Sequence, residues 1–226
     1  MRRANPSGFA LLLKKASLVG AFFVGVIWHF PVLAFCPQPD NPQWVAVRQV
    51  VDGDTLRLVD GRNVRLIGIN APEIGRKGRT SEPYAEAARR RLQALVKAND
   101  DRVGLVPGVE GKDKYGRTLA HIYSRNGDNL EAQLLSEGLG YRVAIAPNVR
   151  FSGCQQLAEQ VARQAGVGLW RRSPVVAASD VRQSGFAVVR GRIEGIERNR
   201  GGVWLTLGGT LVLQVPARLQ RNFPAS

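Results

Sequence analysis

Two Asp-Gly dipeptides, Asp52-Gly53 and Asp60-Gly61, constrain the fold more than any other feature of the sequence. Asp-Gly between alternating apolar segments is a strong signal for a tight β-hairpin. Three such segments, β-branched or alternating, flank the dipeptides: WVAVRQVV (44–51), TLRLV (55–59) and NVRLIGI (63–69). The stretch therefore predicts a three-stranded β-meander.

The periodic segments that follow predict two more strands and three helices. In chain order they are a helix beginning near Ser81 and Glu82, strands at 101–111 and 118–124, and helices at 130–138 and 152–166. On the last helix, helical spacing predicts that Cys154, Leu157, Val161 and Ala165 face one way. Five short strands with a helix after the third match an OB-type barrel. We therefore expect an α+β, mainly β fold: a five-stranded OB-fold barrel with about three helices and a short C-terminal β extension.

The composition changes beyond residue 172, which predicts a separate C-terminal part. Residues 173–184 read as a linker after a barrel domain at 35–172, and residues 185–226 read as three more strands with turns near 199–202 and 208–209. Three strands are few for an independent domain. Two interpretations stay open: a partial OB-like module, or a hairpin that packs on the barrel.

The chain is strongly basic, and its net charge of +14 comes from 32 basic and 18 acidic residues. Removing residues 1–34, which hold four basic residues and no acids, leaves +10. Such an excess indicates a polyanionic partner, either nucleic acid or an anionic membrane surface. The hydrophobic content of 44% is sufficient for a packed core and excludes a disordered chain.

Residues 1–34 have the pattern of an export signal. A basic start precedes an uncharged run at 16–34 that ends in Val32-Leu33-Ala34, which provides small residues where a signal peptidase cuts. We expect a cleaved signal peptide and a secreted or periplasmic protein. The alternative is an uncleaved N-terminal membrane anchor. In an oxidising compartment, Cys36 and Cys154 are expected to form a disulfide, the alternative being two unpaired thiols.

Four oxygen-bearing side chains gather at turns and strand ends in this basic chain: Asp52, Asp54, Asn70 and Glu73. Asp54 shares strand parity with Leu56 and Leu58, so it is predicted to point into the barrel mouth. If the second and third strands pair, Asp54 lies beside the segment 70–73. Hard oxygen ligands at one loop cluster suit Ca²⁺, or another divalent cation such as Mg²⁺.

Two arginines accompany these acids. Arg65 interrupts an apolar strand, and Arg117 ends the loop DKYGR. Beside a cation site in a basic barrel, two arginines suggest a phosphate clamp. Phosphodiester hydrolysis needs this combination: a cation, arginines for the developing charge, and a carboxylate that handles water.

The motifs VVDGDTLRL, VRLIGINAPE, DKYGRTLAHIY and NLEAQLLSEGLG together resemble those of the thermonuclease (staphylococcal nuclease-like) family. The resemblance covers about residues 44–171. It implies an OB-fold barrel with three helices and a Ca²⁺-dependent phosphodiesterase that acts on DNA and RNA. No stable protein partner is implied, and a membrane is involved only if the N-terminal segment stays uncleaved.

The resemblance also implies roles for individual residues. Asp54 and Asn70 match calcium ligands, Ala71 matches a residue that binds metal through its backbone carbonyl, and Asp52 matches a supporting acid. Glu73 matches the glutamate that activates water. Arg65 and Arg117 match arginines on the scissile phosphate, and Lys114 and Tyr115 match contacts to a terminal phosphate.

Two departures from the family pattern stand out. Asn70 replaces an aspartate, which lowers the charge at the cation site. Ala144, Ile145 and Ala146 occupy a stretch where the staphylococcal form has tyrosines. We therefore expect an exported, metal-dependent endonuclease that hydrolyses DNA, RNA or both, with altered metal affinity and weaker base stacking. The alternative is a non-catalytic nucleic-acid-binding OB-fold protein.

Overall fold

A computed structural model describes residues 36–75, 78–182, 184–209 and 211–222 of the chain. The predicted signal peptide lies outside these residues. Among the residues described, no helix has the length and apolar character needed to cross a bilayer.

Five strands close into a barrel in the order β1-β2-β3-β6-β5, which confirms the predicted OB-type architecture. The strands are β1 (Gln43–Asp52), β2 (Thr55–Leu58), β3 (Asn63–Leu66), β5 (Arg102–Lys112) and β6 (Thr118–Tyr123). The meander β1-β2-β3 is antiparallel as expected, and β3 closes on β6 in parallel. Register shifts in β1 at Val47/Gln49 and Val50/Asp52 bend the strand, which then pairs with both β2 and β5.

The barrel core contains the inward-facing residues of each strand. Leu56, Leu58, Val64, Val103 and Ile122 are almost completely buried. Successive side chains of a strand point to opposite faces, so the neighbours of Leu56 and Val64 include the exposed Arg57 and Asn63, whereas β6 is buried on both faces from Ala120 to Tyr123.

The helix after the third barrel strand, α1 (Ala85–Lys97), starts later than the sequence predicted. Ser81 and Glu82 lie in the preceding loop, where their side chains accept hydrogen bonds from the N–H groups of Gly75 and Glu73. Tyr84, the residue before the helix, has a φ of 68°, which is a left-handed conformation that breaks helical continuity.

Two further helices pack on each other beside the barrel, α2 (Leu130–Ser136) and α3 (Ser152–Ala165). The predicted inward stripe of α3 is wrong for three of its four members, because Leu157 and Val161 are 58% and 44% exposed and Ala165 is exposed as well. The buried residues of α3 are instead Gln155, Ala158, Glu159 and Ala162.

Backbone groups of Ile67 and Arg142 are hydrogen-bonded by the buried face of α3. Gln155 donates to the carbonyl of Ile67, and Glu159 accepts from the N–H of Arg142. These backbone groups would otherwise lack partners inside the protein, which would cost about 1–3 kcal/mol each.

Cys36 and Cys154 are joined by a disulfide, with their Cα atoms 5.2 Å apart. The bond links the start of the described chain to the first turn of α3. Cys36 is part of the main core, and Cys154 packs against it.

The segment beyond the barrel forms two small sheets. Strands β8 (Val175–Ala177) and β9 (Val188–Arg190) pair in parallel, and the antiparallel sheet contains β10 (Ile193–Asn199), β11 (Gly202–Leu207) and β12 (Leu211–Pro216). The segment predicted as a linker therefore contains a strand. A last pair, β4 (Ile69–Asn70) and β7 (Tyr141–Arg142), lies beside the barrel.

Candidate active site

Asp54 begins the inward-facing series of β2, as its parity with Leu56 and Leu58 predicts, and only 3% of it is exposed. The turn before it packs tightly on two other elements. A Cβ on Gly53 would come within 2.6 Å of the Cβ atoms of Ala71 and Ala88. Glycine is therefore required at this turn because the loop after β4 and helix α1 approach its backbone closely.

The carboxylate of Asp54 is held by three neighbours. Its Oδ2 accepts a hydrogen bond of 2.7 Å from the Ala71 N–H, and its Oδ1 accepts one of 3.0 Å from the Thr55 hydroxyl. A terminal nitrogen of Arg65 lies 3.1 Å from Oδ2. Asp52 supports the arrangement, since its Oδ1 accepts from the Asp54 N–H at 3.1 Å.

Burial raises the pKa of Asp54 to about 7, against the opposing attraction of the Arg65 guanidinium and with a smaller contribution from the nearby Asp52 carboxylate. The protein thus only partly compensates a buried negative charge at this position.

Arg65 connects Asp54 to Asn70. The nitrogen that contacts Asp54 also donates to the Asn70 Oδ1 at 3.2 Å. The other terminal nitrogen donates to the carbonyls of Leu66 and Ile69 at 2.9 and 2.8 Å. Arg65 therefore organises the two predicted cation ligands, and both of its terminal nitrogens are used within the protein.

A cleft of about 910 Å³ opens beside these residues and brings Asp52, Glu73 and Arg117 to one surface. Glu73 is exposed, and its carboxylate accepts no hydrogen bond from the described residues. Its backbone is fixed on both sides, because its N–H donates to the Glu82 carboxylate at 2.9 Å and its carbonyl accepts from the Glu82 N–H at 3.0 Å. Glu73 therefore combines a fixed backbone with a carboxylate open to water.

Arg117 reaches the cleft from the loop between β5 and β6. Its Nε donates to Asp113 at 2.7 Å, which leaves both terminal nitrogens without a hydrogen-bond partner among the described residues. Burial tends to raise the pKa of Asp113, but hydrogen bonds from Arg117 and from the Tyr115 N–H outweigh it and lower the pKa. Asp113 thus orients the Arg117 guanidinium, whose terminal nitrogens can donate hydrogen bonds to a phosphate.

Some predicted site residues lie apart from the cleft wall. Tyr115 is 72% exposed on the β5–β6 loop, where Lys114 and Arg117 stack on its ring at 5.1 and 5.6 Å. Neither Lys114 nor Tyr115 lines the cleft. Ile145, in the stretch without tyrosines, is 70% exposed and offers no aromatic surface.

Three charged residues of the cleft were not singled out by the sequence: Arg57, Arg79 and Glu82. Arg57 alternates with Leu56 and Leu58, so its parity already placed it on the outer face of β2. Arg79 ends the basic stretch GRKGR (75–79), to which the sequence alone assigns no site. No local signal marked Glu82, because its contact with Glu73 depends on the path of that loop.

The donor chemistry of the site fits a hard divalent cation. Asp52 contacts Asp54 through the Asp54 N–H, and Asn70 is linked to the buried Asp54 carboxylate through Arg65. Within the described part of the chain, no group of three or more His, Cys, Asp or Glu side chains forms a cluster suited to a metal. A cation here would depend on two carboxylates together with amide and backbone oxygens, which are ligands of Ca²⁺ and Mg²⁺.

Comparison with known proteins places these features in a class. Residues 63–172 match the model of the family described as staphylococcal nuclease homologue. A thermonuclease of Staphylococcus intermedius is 34% identical over 130 residues, which cover 56% of this chain and 75% of that protein. Endonuclease YncB of Bacillus subtilis is 32% identical over 137 residues, covering 58% of this chain and 64% of the relative.

A third relative, the SPbeta prophage-derived endonuclease YokF of Bacillus subtilis, is 32% identical, and the match spans 45% of its length. The barrel, the cleft and these relatives define a hydrolase that acts on phosphodiester bonds. The chain belongs to the staphylococcal nuclease homologue family. The family match ends at residue 172, so the small sheets of residues 175–216 lie outside it.

Proposed function

We propose that the protein is an exported endonuclease that requires a divalent cation and cleaves phosphodiester bonds of DNA, RNA or both. One observation carries the proposal. The buried charge of Asp54, linked through Arg65 to Asn70, lies next to a cleft that also presents an unengaged carboxylate on Glu73 and an oriented guanidinium on Arg117. A site that only bound nucleic acid would gain nothing from carboxylates that repel phosphate.

Each of these side chains has a part in hydrolysis. Glu73 accepts a proton from the attacking water or orients it, because its carboxylate is exposed and free. Arg117 binds a phosphate oxygen through its terminal nitrogens and stabilises the charge that grows as water attacks. Arg65 adds positive charge at the same place while it holds Asp54 and Asn70 in position.

The cation is proposed to bind Asp54, Asn70 and the Ala71 carbonyl, with Asp52 in support. When bound, a hard divalent ion polarises a phosphate oxygen and offsets negative charge in the transition state. Calcium, or another hard divalent ion such as magnesium, is the candidate, because all of these ligands are oxygens. Lys114 and Tyr115 are proposed to contact a phosphate further along the strand, since the exposed ring lies against two cations.

A direct assay tests this function. The full chain is expressed in a secreting host, and the exported product is incubated with single-stranded and duplex DNA and RNA, with calcium, with magnesium, and with a chelator. We expect fragments with at least one cation and none with the chelator. Nucleic-acid binding without cleavage under every condition would establish the binding module instead.

Mass spectrometry of the exported product tests the localisation separately. A mature N-terminus near Phe35 is expected if residues 1–34 are a cleaved signal. A membrane-bound product that retains these residues would establish the anchored form.

A further inference from the structure

A second groove lies on the other side of the Glu73 loop, between the barrel and the C-terminal segment. Its volume is about 1010 Å³, which is larger than the cleft that holds Arg117. One wall is the segment 70–73, and the facing wall is built by Val176, Phe186 and Val188 of the C-terminal segment. Because the family match ends at residue 172, the facing wall is an addition to the family domain.

Three aromatic side chains line this groove. Phe186 is 51% exposed and Tyr84 is 38% exposed, so part of each ring is open to solvent in the groove. Tyr141 lies between barrel and extension, with its ring centroid 5.1 Å from that of Phe186 at an interplanar angle of 37°. Exposed rings of this kind offer flat surfaces on which unpaired bases stack.

The backbone at Tyr84 supports a binding role for this wall. Tyr84 has a φ of 68° although it carries a bulky side chain, and such a conformation costs about 1–3 kcal/mol. Tyr84 lines the groove. Strained residues of this kind concentrate at ligand sites.

Two arginines supply the charge that a polynucleotide requires. Arg171 and Arg172 both line the groove, both are exposed, and neither pairs with a carboxylate among the described residues. The acids of the groove, Glu73 and Glu82, lie where it meets the catalytic loop. The groove is therefore acidic at its catalytic end, while the arginines come from the segment that leads into the extension.

The groove is continuous with the proposed active site. Glu73 and Glu82 line both the groove and the cleft that contains Arg117. A strand with its scissile phosphate at Glu73 and Arg117 can therefore extend past the loop into the groove without leaving the protein surface.

We propose that this groove binds the single-stranded continuation of the nucleic acid being cut, with bases on Phe186, Tyr141 and Tyr84 and phosphates on Arg171 and Arg172. Stacking on these rings requires unpaired bases, so the occupant is a single strand. The inference rests on the proposed nuclease function, which places the scissile phosphate of the bound strand at Glu73 and Arg117, but binding itself is measured independently of cleavage. It gives the C-terminal extension a function in substrate recognition.

Binding is measured first, with the full chain and a fluorescent 20-nucleotide single strand in the presence of a chelator, by anisotropy over a range of salt concentrations. The double variant Arg171→Ala/Arg172→Ala is expected to bind about tenfold more weakly and to reduce the slope of log affinity against log salt by about 1.4. The control is Arg198→Ala/Arg200→Ala, which removes the same charge at two exposed positions, one near the end of β10 and one in the turn that follows it. Equal losses of affinity in both double variants would show that only the net charge of the protein matters, and would overturn the proposal.

The aromatic wall is tested with a matched pair at one position. Phe186→Leu keeps apolar bulk but removes the ring, and we expect about a fivefold loss of single-strand affinity. Phe186→Tyr keeps the ring and is expected to bind as the unchanged protein does. Equal affinities for all three proteins would exclude stacking at residue 186 and overturn the aromatic part of the site.

Cleavage then separates this proposal from the proposed function. The arginine double variant should raise KM for the 20-nucleotide strand and leave kcat unchanged, with no effect on a dinucleotide too short to reach the groove. If the unchanged protein shows no cleavage and the binding differences persist, the nuclease proposal fails and the groove proposal is supported. If it cleaves and the groove variants match the control in binding and in KM, the groove proposal fails alone.

Discussion

The carboxylate of Asp54 accepts a hydrogen bond of 2.7 Å from the backbone N–H of Ala71, although 17 residues separate them in the chain. This contact joins the start of β2 to the loop that follows β4. It brings the buried acid to the segment that carries Asn70 and Glu73, and so makes one site from two stretches of sequence.

The charge at the proposed cation site sets its affinity. Asn70→Asp replaces a neutral amide with a carboxylate that shares the Arg65 contact of Asp54. We expect calcium affinity, measured by titration calorimetry, to rise about tenfold because a full negative charge is added at ligand distance. Asn126→Asp makes the same change at an exposed turn and should leave affinity unchanged. No gain from Asn70→Asp would argue against Asn70 as a ligand.

Glu73 and Arg117 are expected to be needed for catalysis but not for folding. Glu73→Gln should lower kcat by about 10²–10⁴, the range for losing a general base, and Arg117→Ala by about 10²–10³. Circular dichroism and the thermal midpoint should change little because Glu73 is exposed and Arg117 is about one-third exposed. Glu110→Gln, at an exposed position outside the cleft, is the matched control. Unchanged turnover in both site variants would remove these assignments.

The Asp113–Arg117 pair predicts a pH dependence of stability. The pKa of Asp113 is lowered from its ordinary 3.8 in the folded protein, so its contribution to stability is complete above pH 3.8 and disappears as the pH falls through the lowered value. The difference in unfolding free energy between the unchanged protein and Asp113→Asn should therefore shrink below pH 3.8. Urea unfolding between neutral and acid pH measures this difference. A difference that stays constant with pH would show that the charge of Asp113 does not contribute.

The disulfide between Cys36 and Cys154 is expected to contribute strongly to stability. It closes a loop with a sequence separation of 118 residues, for which the chain-entropy model gives up to about 5 kcal/mol. Reduction should lower the urea midpoint of the unchanged protein, while the double variant Cys36→Ser/Cys154→Ser should already have the lower midpoint and not respond to reductant. If the reductant leaves the unchanged protein unaffected, the bond does not constrain the unfolded chain.

Much of the barrel follows from local sequence rules. The Asp-Gly turns and the alternation of Leu56 and Leu58 with polar residues predict the meander and the inward direction of Asp54, because strand geometry fixes the parity of every side chain. The late start of α1 did not follow, because Ser81 and Glu82 are good helix-starting residues whose side chains are used by backbone groups of the Glu73 loop.

The sequence by itself determined which residue types are present for chemistry and which face of each barrel strand they occupy. Only the tertiary structure decided their partners. Arg65 hydrogen-bonds inward to Asp54 and Asn70, the terminal nitrogens of Arg117 have no partner among the described residues, and Gln155 rather than Leu157 faces the interior. The physical reason is that parity and periodicity act over a few residues. The partner of a buried charge or backbone group is whatever distant chain segment the fold brings within hydrogen-bond distance.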